Sequence, residues 1–210
     1  MSVKPRAFQG QYPPRWHSII NSPVGRLYVA ASDNALTGIW YEEQAHFPLP
    51  HELGERIADP AGLVAEADEV AQAIGADAER SGEHIYVAPA RILAQTEREL
   101  DEYFRGRRTD FEVPLDPDGT DFQLAVWDYL KTVPYGYTVT YGEISRMVGP
   151  GAPAQAVGQA VGHNKIAIII PCHRVLGAGG KLTGYAGGLD RKRWLLDREE
   201  PKDIRSGRLF

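Results

Sequence analysis

The chain has 210 residues, 43% of them hydrophobic, and a formal net charge of −5. A chain of this size can bury its own core, and its single cysteine excludes an internal disulfide. No CxxC pair or histidine cluster indicates a structural zinc site, and no apolar run is long enough for a signal peptide or a membrane span. We therefore expect a cytoplasmic protein with no membrane association and no metal site.

The net charge conceals a difference between the two halves of the chain. Residues 1–119 hold 11 Lys/Arg and 20 Asp/Glu, whereas residues 120–210 hold 12 Lys/Arg and 8 Asp/Glu. Only the second half is suited to a polyanionic partner. A solvated acidic helix in the first half would explain the same imbalance, so the charges permit nucleic-acid binding without requiring it.

The first half is predicted to contain a small sheet followed by helices. Residues 15–43 alternate apolar strand-forming residues with turn signals at 21–25 and 33–34, as in a three-stranded antiparallel meander. Residues 43–88 form an acidic insertion that contains a weak helical pattern. An apolar stripe predicts a further helix that Pro89 opens and Gly106 ends. The stretch "PLDPDGT", residues 114–120, is the best candidate for a linker, so we place one domain over 1–115 and another over 120–210.

The second half is predicted to be mainly helical. Thr120 with Gln123, and Thr140 with Glu143, form capping boxes before two apolar-striped helices. After "GPGAP", the sequence "AQAVGQAVGHN" predicts a short helix of small residues. Two short helices around a glycine-containing turn are typical of a helix-turn-helix, although many such pairs never bind DNA.

The only cysteine lies in "IIIPCHRV", residues 168–175. Cysteine attacks as the thiolate, so a nucleophilic Cys172 needs a base or a positive neighbour. His173 and Arg174 follow it, and Pro171 favours a turn in which a water could bridge the His173 ring and the thiol. A buried structural thiol, a cysteine hydrolase and a redox sensor all remain compatible with these residues alone.

Longer motifs around the cysteine carry a resemblance to a known family. "VGHN", "PCHRV", "GKLTGYAGGLDRKRWLLDRE" and "FQLAVWDYLKTVPYGYTVTYGEIS" together cover nearly all of residues 121–200. This region closely resembles the O6-alkylguanine-DNA alkyltransferases, which repair DNA by transferring an alkyl group to their own cysteine. The resemblance implies an α+β fold, with an N-terminal ribonuclease-H-like α/β domain and a C-terminal, mostly helical domain that carries the helix-turn-helix and the active-site loop.

The resemblance also implies catalytic roles at five positions. Cys172 corresponds to the alkyl acceptor, and His173 to the base that acts through water. Glu199 corresponds to the carboxylate that orients the histidine, and Tyr141 to the tyrosine that donates a hydrogen to N3 of the leaving guanine. Asn164 corresponds to the asparagine that braces the active-site turn, where a helix C-cap is a compatible structural role.

Further positions correspond to groups that bind the lesion. The carbonyls of Cys172 and Val175 correspond to those that read the guanine amino group. Tyr185 and Ala186 correspond to the loop over the pocket, where a backbone N–H bonds the guanine oxygen. Val161 is a further expected contact of the substrate.

The expected DNA-binding residues are Ala154, Gln155, Gly158, Lys165 and Arg174. Gln155 departs from the family, which has an arginine here that fills the gap left by the flipped nucleotide. Glutamine is shorter and uncharged, but its amide can still bond an orphaned base. Weaker flipping is one consequence; compensation by Arg146 or Lys165 is the alternative.

The resemblance implies a monomer that acts once, without a cofactor, on double-stranded DNA. The expected substrate is O6-alkylguanine, with O4-alkylthymine as a second candidate. The alternative is an alkyltransferase-like protein that binds lesions with weak or no transfer. Cys172, His173, Tyr141 and Glu199 argue against that alternative, because such proteins lack the acceptor cysteine.

Overall fold

The computed structural model describes residues 15–74, 86–149 and 151–200. Its larger sheet consists of β1 (Trp16–Ser22), β2 (Gly25–Ala31), β3 (Leu36–Tyr41) and the two-residue β4 (Glu55–Arg56), in the order β3-β2-β1-β4. The first three strands pair antiparallel, which confirms the meander. The sheet as a whole is mixed rather than antiparallel, because β4 pairs parallel with β1.

Three helices accompany this sheet: α1 (Pro50–Leu53), α2 (Pro60–Ile74) and α3 (Val87–Arg105). The helical pattern in the acidic segment corresponds to α2, which packs against α3; residues 75–85 of that segment lie outside the described residues. Helix α3 begins two residues before Pro89. It ends at Gly106, which adopts the left-handed conformation (φ 72°) that glycine accepts without strain.

The segment 114–120 is not the free linker that its composition suggests. Leu36 donates its N–H to the carbonyl of Pro114 (2.8 Å), and Asp116 donates to the carbonyl of Leu36 (2.9 Å). The segment therefore lies beside β3. Backbone pairing to an existing strand overrides the turn preference of its prolines and glycine.

The C-terminal half contains α4 (Asp121–Lys131), α5 (Tyr141–Val148), α6 (Ala154–Gly162) and α7 (Leu189–Glu199), with a two-stranded parallel ladder between β5 (Val139–Thr140) and β6 (Val175–Leu176). Both predicted capping boxes are present, at α4 and α5. Helices α5 and α6 pack together across a short turn, as the helix-turn-helix prediction requires. No helix in the described part of the chain is both long and apolar enough to cross a bilayer.

The isoleucine run before the cysteine forms a turn and not a strand. Ile39 of β3 accepts a hydrogen bond from the Ala167 N–H and donates one to the Lys165 carbonyl, so the residues just before the run pair in parallel with β3 and join the two halves. Ile168 has φ 72°, a rare conformation for a β-branched residue. The run is buried in one apolar core that extends through both halves of the chain.

Candidate active site

Cys172 begins a 3₁₀ turn, Cys172–Arg174, directly after Pro171. Its N–H donates to the carbonyl of Ile170 (2.8 Å), and the residue is 7% exposed. Pro171, with φ −81°, turns the chain at this point. The thiol is therefore held on a fixed turn inside the core.

Three polar groups act on this buried sulfur. Burial raises the pKa of the Cys172 thiol, while a hydrogen bond from Asn164, the charge of Lys192 and a hydrogen bond from Tyr185 lower it. Asn164 Nδ2 lies 3.1 Å from Sγ. Because the net effect is a raised pKa, the thiol is protonated at neutral pH and needs a base before it can attack.

His173 is suited to be that base. Its Nε2 lies 2.8 Å from Oε1 of Glu199, and both side chains are buried. Burial lowers the pKa of His173, so the ring is neutral at neutral pH. Nδ1 is buried and has no hydrogen-bond partner among the described residues. An ionised Glu199 requires the proton on Nε2, which leaves Nδ1 with a free lone pair.

Glu199 is ionised because cationic and polar groups surround it. Burial would raise the pKa of its carboxyl, but hydrogen bonds from His173 and Arg174 and the Arg174 charge lower that pKa to about 2. Arg174 donates through Nε to Oε2 (2.7 Å) and through Nη2 to Oε1 (2.9 Å). Tyr103 donates its hydroxyl to Oε1 (2.9 Å), and the Gly136 N–H donates to Oε2 (3.3 Å).

The expectation that Arg174 contacts DNA is wrong. Arg174 is 6% exposed, and its guanidinium is used within the protein by Glu199 and the carbonyl of Val133. A bidentate bond to a buried carboxylate holds the side chain inward and neutralises its charge. Arg174 therefore fixes Glu199.

Asn164 braces the active-site turn and is not a helix cap. Helix α6 ends at Gly162, and its C-cap is His163. The Asn164 amide donates to the carbonyls of Ile166 (3.3 Å) and Ile170 (2.8 Å), and its oxygen accepts from the N–H of Ile166 (3.1 Å). One side chain thus connects the turn to the sulfur.

Tyr141 links the helix-turn-helix to the loop after the cysteine. It is the first residue of α5, and its ring lies beside Gly158 of α6, where a Cβ would be 3.9 Å away. Burial raises the pKa of its hydroxyl, which also bonds the side chain of Thr183. Tyr141 therefore stays protonated at neutral pH and can donate a hydrogen.

Lys192 holds the loop that contains Tyr185, and the sequence alone gave no reason to expect this role. Its Nζ, fully buried, donates to the carbonyls of Val175 (2.6 Å), Thr183 (2.7 Å) and Gly184 (3.3 Å). Burial lowers the pKa of Lys192 to about 8. The Val175 carbonyl keeps a second lone pair for a ligand. The carbonyl of Ala186 accepts from the Ala45 N–H (3.1 Å), so the far side of the loop is tied to the N-terminal half.

The remaining predicted residues are distributed along α6 and just after it. Ala154 and Gln155 are exposed in the first turn of α6, Gly158 lies one turn later and is partly exposed, and Val161 is buried in the core. Lys165 pairs with Asp118 (Nζ to Oδ2, 3.2 Å). An ion pair this exposed contributes little to stability, so a DNA phosphate could replace Asp118 as the partner of Lys165. Within the described residues, no group of three or more His, Cys, Asp or Glu side chains could hold a metal ion.

Comparison with known proteins identifies relatives across most of the chain. Two family models match: "6-O-methylguanine DNA methyltransferase, ribonuclease-like domain" over residues 62–117 and "6-O-methylguanine DNA methyltransferase, DNA binding domain" over residues 121–201. The Mycolicibacterium paratuberculosis methylated-DNA–protein-cysteine methyltransferase is 39% identical over 91% of this chain and 96% of its own.

Solved structures agree with this relationship. The chain matches the Mycobacterium tuberculosis O6-methylguanine methyltransferase with a TM-score of 0.66 and 38% identity, over 92% of this chain and 99% of the other. The Mycobacterium tuberculosis OGT in complex with DNA matches with a TM-score of 0.67 and 40% identity, over 90% and 97% of the two chains.

Proposed function

The chain belongs to the 6-O-methylguanine DNA methyltransferase family, and from this premise we propose that it repairs O6-alkylguanine in double-stranded DNA by transferring the alkyl group to Cys172. The observation that supports the acceptor role of Cys172 is the set of buried polar contacts around its side chain and around the adjacent His173. Asn164 bonds the sulfur, and the adjacent His173 is oriented by Glu199 with its free nitrogen unbonded.

The reaction follows from the protonation states of these groups. A water passes the thiol proton of Cys172 to Nδ1 of His173, and the ionised Glu199 stabilises the imidazolium. The thiolate attacks the alkyl carbon, a C–S bond forms, and the bond from that carbon to guanine O6 breaks. Tyr141 gives its hydroxyl proton to N3 of the leaving guanine, and the proton held by the His173 imidazolium, relayed through solvent water, restores the Tyr141 hydroxyl. Because a thioether does not hydrolyse readily, each molecule reacts once.

The lesion must leave the DNA stack to reach a buried sulfur, at a cost of a few kcal/mol. Ala154 and Gly158 are small residues on the accessible surface of α6, so the helix backbone can come close to DNA and enter a minor groove. Tyr185, Ala186 and the carbonyls of Cys172 and Val175 are proposed to line the pocket for the extruded base. We propose that the protein acts as a cytoplasmic monomer, with domains over residues 1–115 and 120–210.

Mixing the protein with a duplex that carries one O6-methylguanine tests the proposal. We expect each molecule to gain one methyl group on Cys172, seen in the intact mass and located by peptide mapping, and the reaction to stop at one equivalent. Cys172→Ser, which keeps the DNA-binding surface, is the matched control and should gain nothing. Binding to the lesion without methyl gain by the wild type would contradict transfer and indicate a lesion-binding protein.

Gln155 is the position where the expected DNA contact departs from the family. Its side chain is exposed in the first turn of α6, so an arginine fits there without repacking. We expect Gln155→Arg to bind duplex DNA about threefold to tenfold more tightly at low salt, because it adds one positive charge within reach of a DNA phosphate. Fluorescence anisotropy over a salt series measures this. Gln159→Arg, which adds the same charge one turn later on an exposed position, is the control. Equal gains at both sites would show a general charge effect.

A further inference from the structure

Tyr41 is a buried tyrosine of the N-terminal sheet that reaches the active-site loop. It is the last residue of β3 and is 1% exposed. Its hydroxyl oxygen lies 2.9 Å from the hydroxyl oxygen of Tyr185, a residue 144 positions later. A buried hydroxyl normally has a partner, and Tyr185 is the one the structure provides.

The position of the Tyr41 ring is fixed from several sides. The Arg191 guanidinium lies over the ring, 5.0 Å from its centroid, and donates through Nη1 to the carbonyl of Gly187 (2.9 Å) and through Nε to the carbonyl of Val24 (2.8 Å). Gly187 approaches so closely that a Cβ there would lie 2.4 Å from the ring. The Tyr41 N–H donates to Gln44 (2.9 Å). Tyr41 is thus a rigid support for the loop.

Tyr185 connects this support to the sulfur. Its hydroxyl hydrogen-bonds the Cys172 side chain and lowers the pKa of the thiol, so this contact favours the thiolate. Burial raises the pKa of both tyrosines, so each keeps its proton at neutral pH. A Tyr185 hydroxyl that donates to sulfur has its oxygen free to accept, and Tyr41 is the donor within reach. Successive hydrogen bonds of this kind polarise and strengthen one another.

We propose that Tyr41 is a positioning residue for alkyl transfer: it donates a hydrogen bond to the Tyr185 hydroxyl and so directs the Tyr185 O–H at the sulfur of Cys172. The inference rests on the proposed function, because it deepens the role of that site. It means that the N-terminal sheet contributes to the reactivity of a cysteine located in the C-terminal half.

Tyr41→Phe removes the hydroxyl and keeps the ring. We expect the variant to take the methyl group from O6-methylguanine duplex about fivefold more slowly than the wild type, the effect of one neutral hydrogen bond of ordinary strength. We also expect its Cys172 to react with iodoacetamide with a pH profile displaced to higher pH by about half a unit to one unit. Mass spectrometry of samples quenched at successive times follows both reactions.

Two further variants separate positioning from general stability. Tyr28→Phe, on the neighbouring strand β2 and away from the loop, should match the wild type in both assays. Tyr185→Phe should displace the pH profile in the same direction, and adding Tyr41→Phe to it should have no further effect. Additive effects, or an unchanged pH profile in Tyr41→Phe, would overturn the inference. A wild type that reacts with iodoacetamide but not with DNA would instead reject the proposed function.

Discussion

Glu199→Gln is expected to reduce the free energy of unfolding by about 3 kcal/mol and the transfer rate by about a hundredfold or more. The carboxylate is 2% exposed and is the counter-ion of the buried Arg174. The amide leaves that guanidinium buried without a compensating charge. The neutral amide also cannot stabilise a protonated His173, and this second effect is the reason we expect the methyl-transfer rate to fall. Urea denaturation and single-turnover methyl transfer measure the two effects.

The stability difference between wild type and variant should depend on pH. The pKa of Glu199 is lowered from 4.5 to about 2 in the folded chain, so its contribution of about 3 kcal/mol is complete above pH 4.5 and is lost as the pH falls toward 2. The wild type should therefore lose stability over this window, and the variant much less. The lowered pKa of His173 acts in the same direction, since the unfolded chain takes up that proton first on acidification.

Asp197→Asn is the matched control, because it removes an exposed carboxylate from the same helix two residues earlier. It should change the free energy of unfolding by less than about 0.5 kcal/mol. A constant difference between wild type and Glu199→Gln from pH 7 to pH 3.5 would show that the carboxylate is not held ionised by its neighbours.

Local signals predicted the helices well. The capping boxes at Thr120 and Thr140 involve residues only three positions apart, so the sequence contains the whole interaction. Gly106 likewise marks the end of α3. By contrast, the composition of the segment 114–120 predicted a linker. Its backbone hydrogen bonds to Leu36 were missed because Leu36 is distant in sequence.

The site separates in the same way. The motif around Cys172 pointed to His173 and, through the family resemblance, to Glu199 and Asn164. The burial of Arg174 depends on a carboxylate 25 positions away, and the Tyr41–Tyr185 contact spans 144 positions. No local pattern reports such partners. The role of Lys192 could not be predicted either, because the three loop carbonyls that its ammonium group binds are brought together only by the fold.

Asn164→Ala is expected to reduce the free energy of unfolding by about 2–4 kcal/mol, because the Ile166 N–H and the Ile170 carbonyl lose their side-chain partner inside the core. The turn that they belong to includes Ile168 at φ 72°, a conformation that persists only where its surroundings hold it. Chemical denaturation measures the loss, and Asn21→Ala, an exposed asparagine of β1, is the control with little expected change.

The same substitution should affect the chemistry beyond its cost in stability. Asn164 gives the sulfur its largest favourable interaction, at 3.1 Å, so without it the pKa of Cys172 should rise further. We expect methyl transfer to be at least tenfold slower at neutral pH and to recover partly as the pH increases, since a higher pH restores the thiolate. A rate that stays low at every pH in a folded variant would assign Asn164 to the geometry of the turn alone. Recovery at high pH requires that its amide also stabilises the sulfur anion.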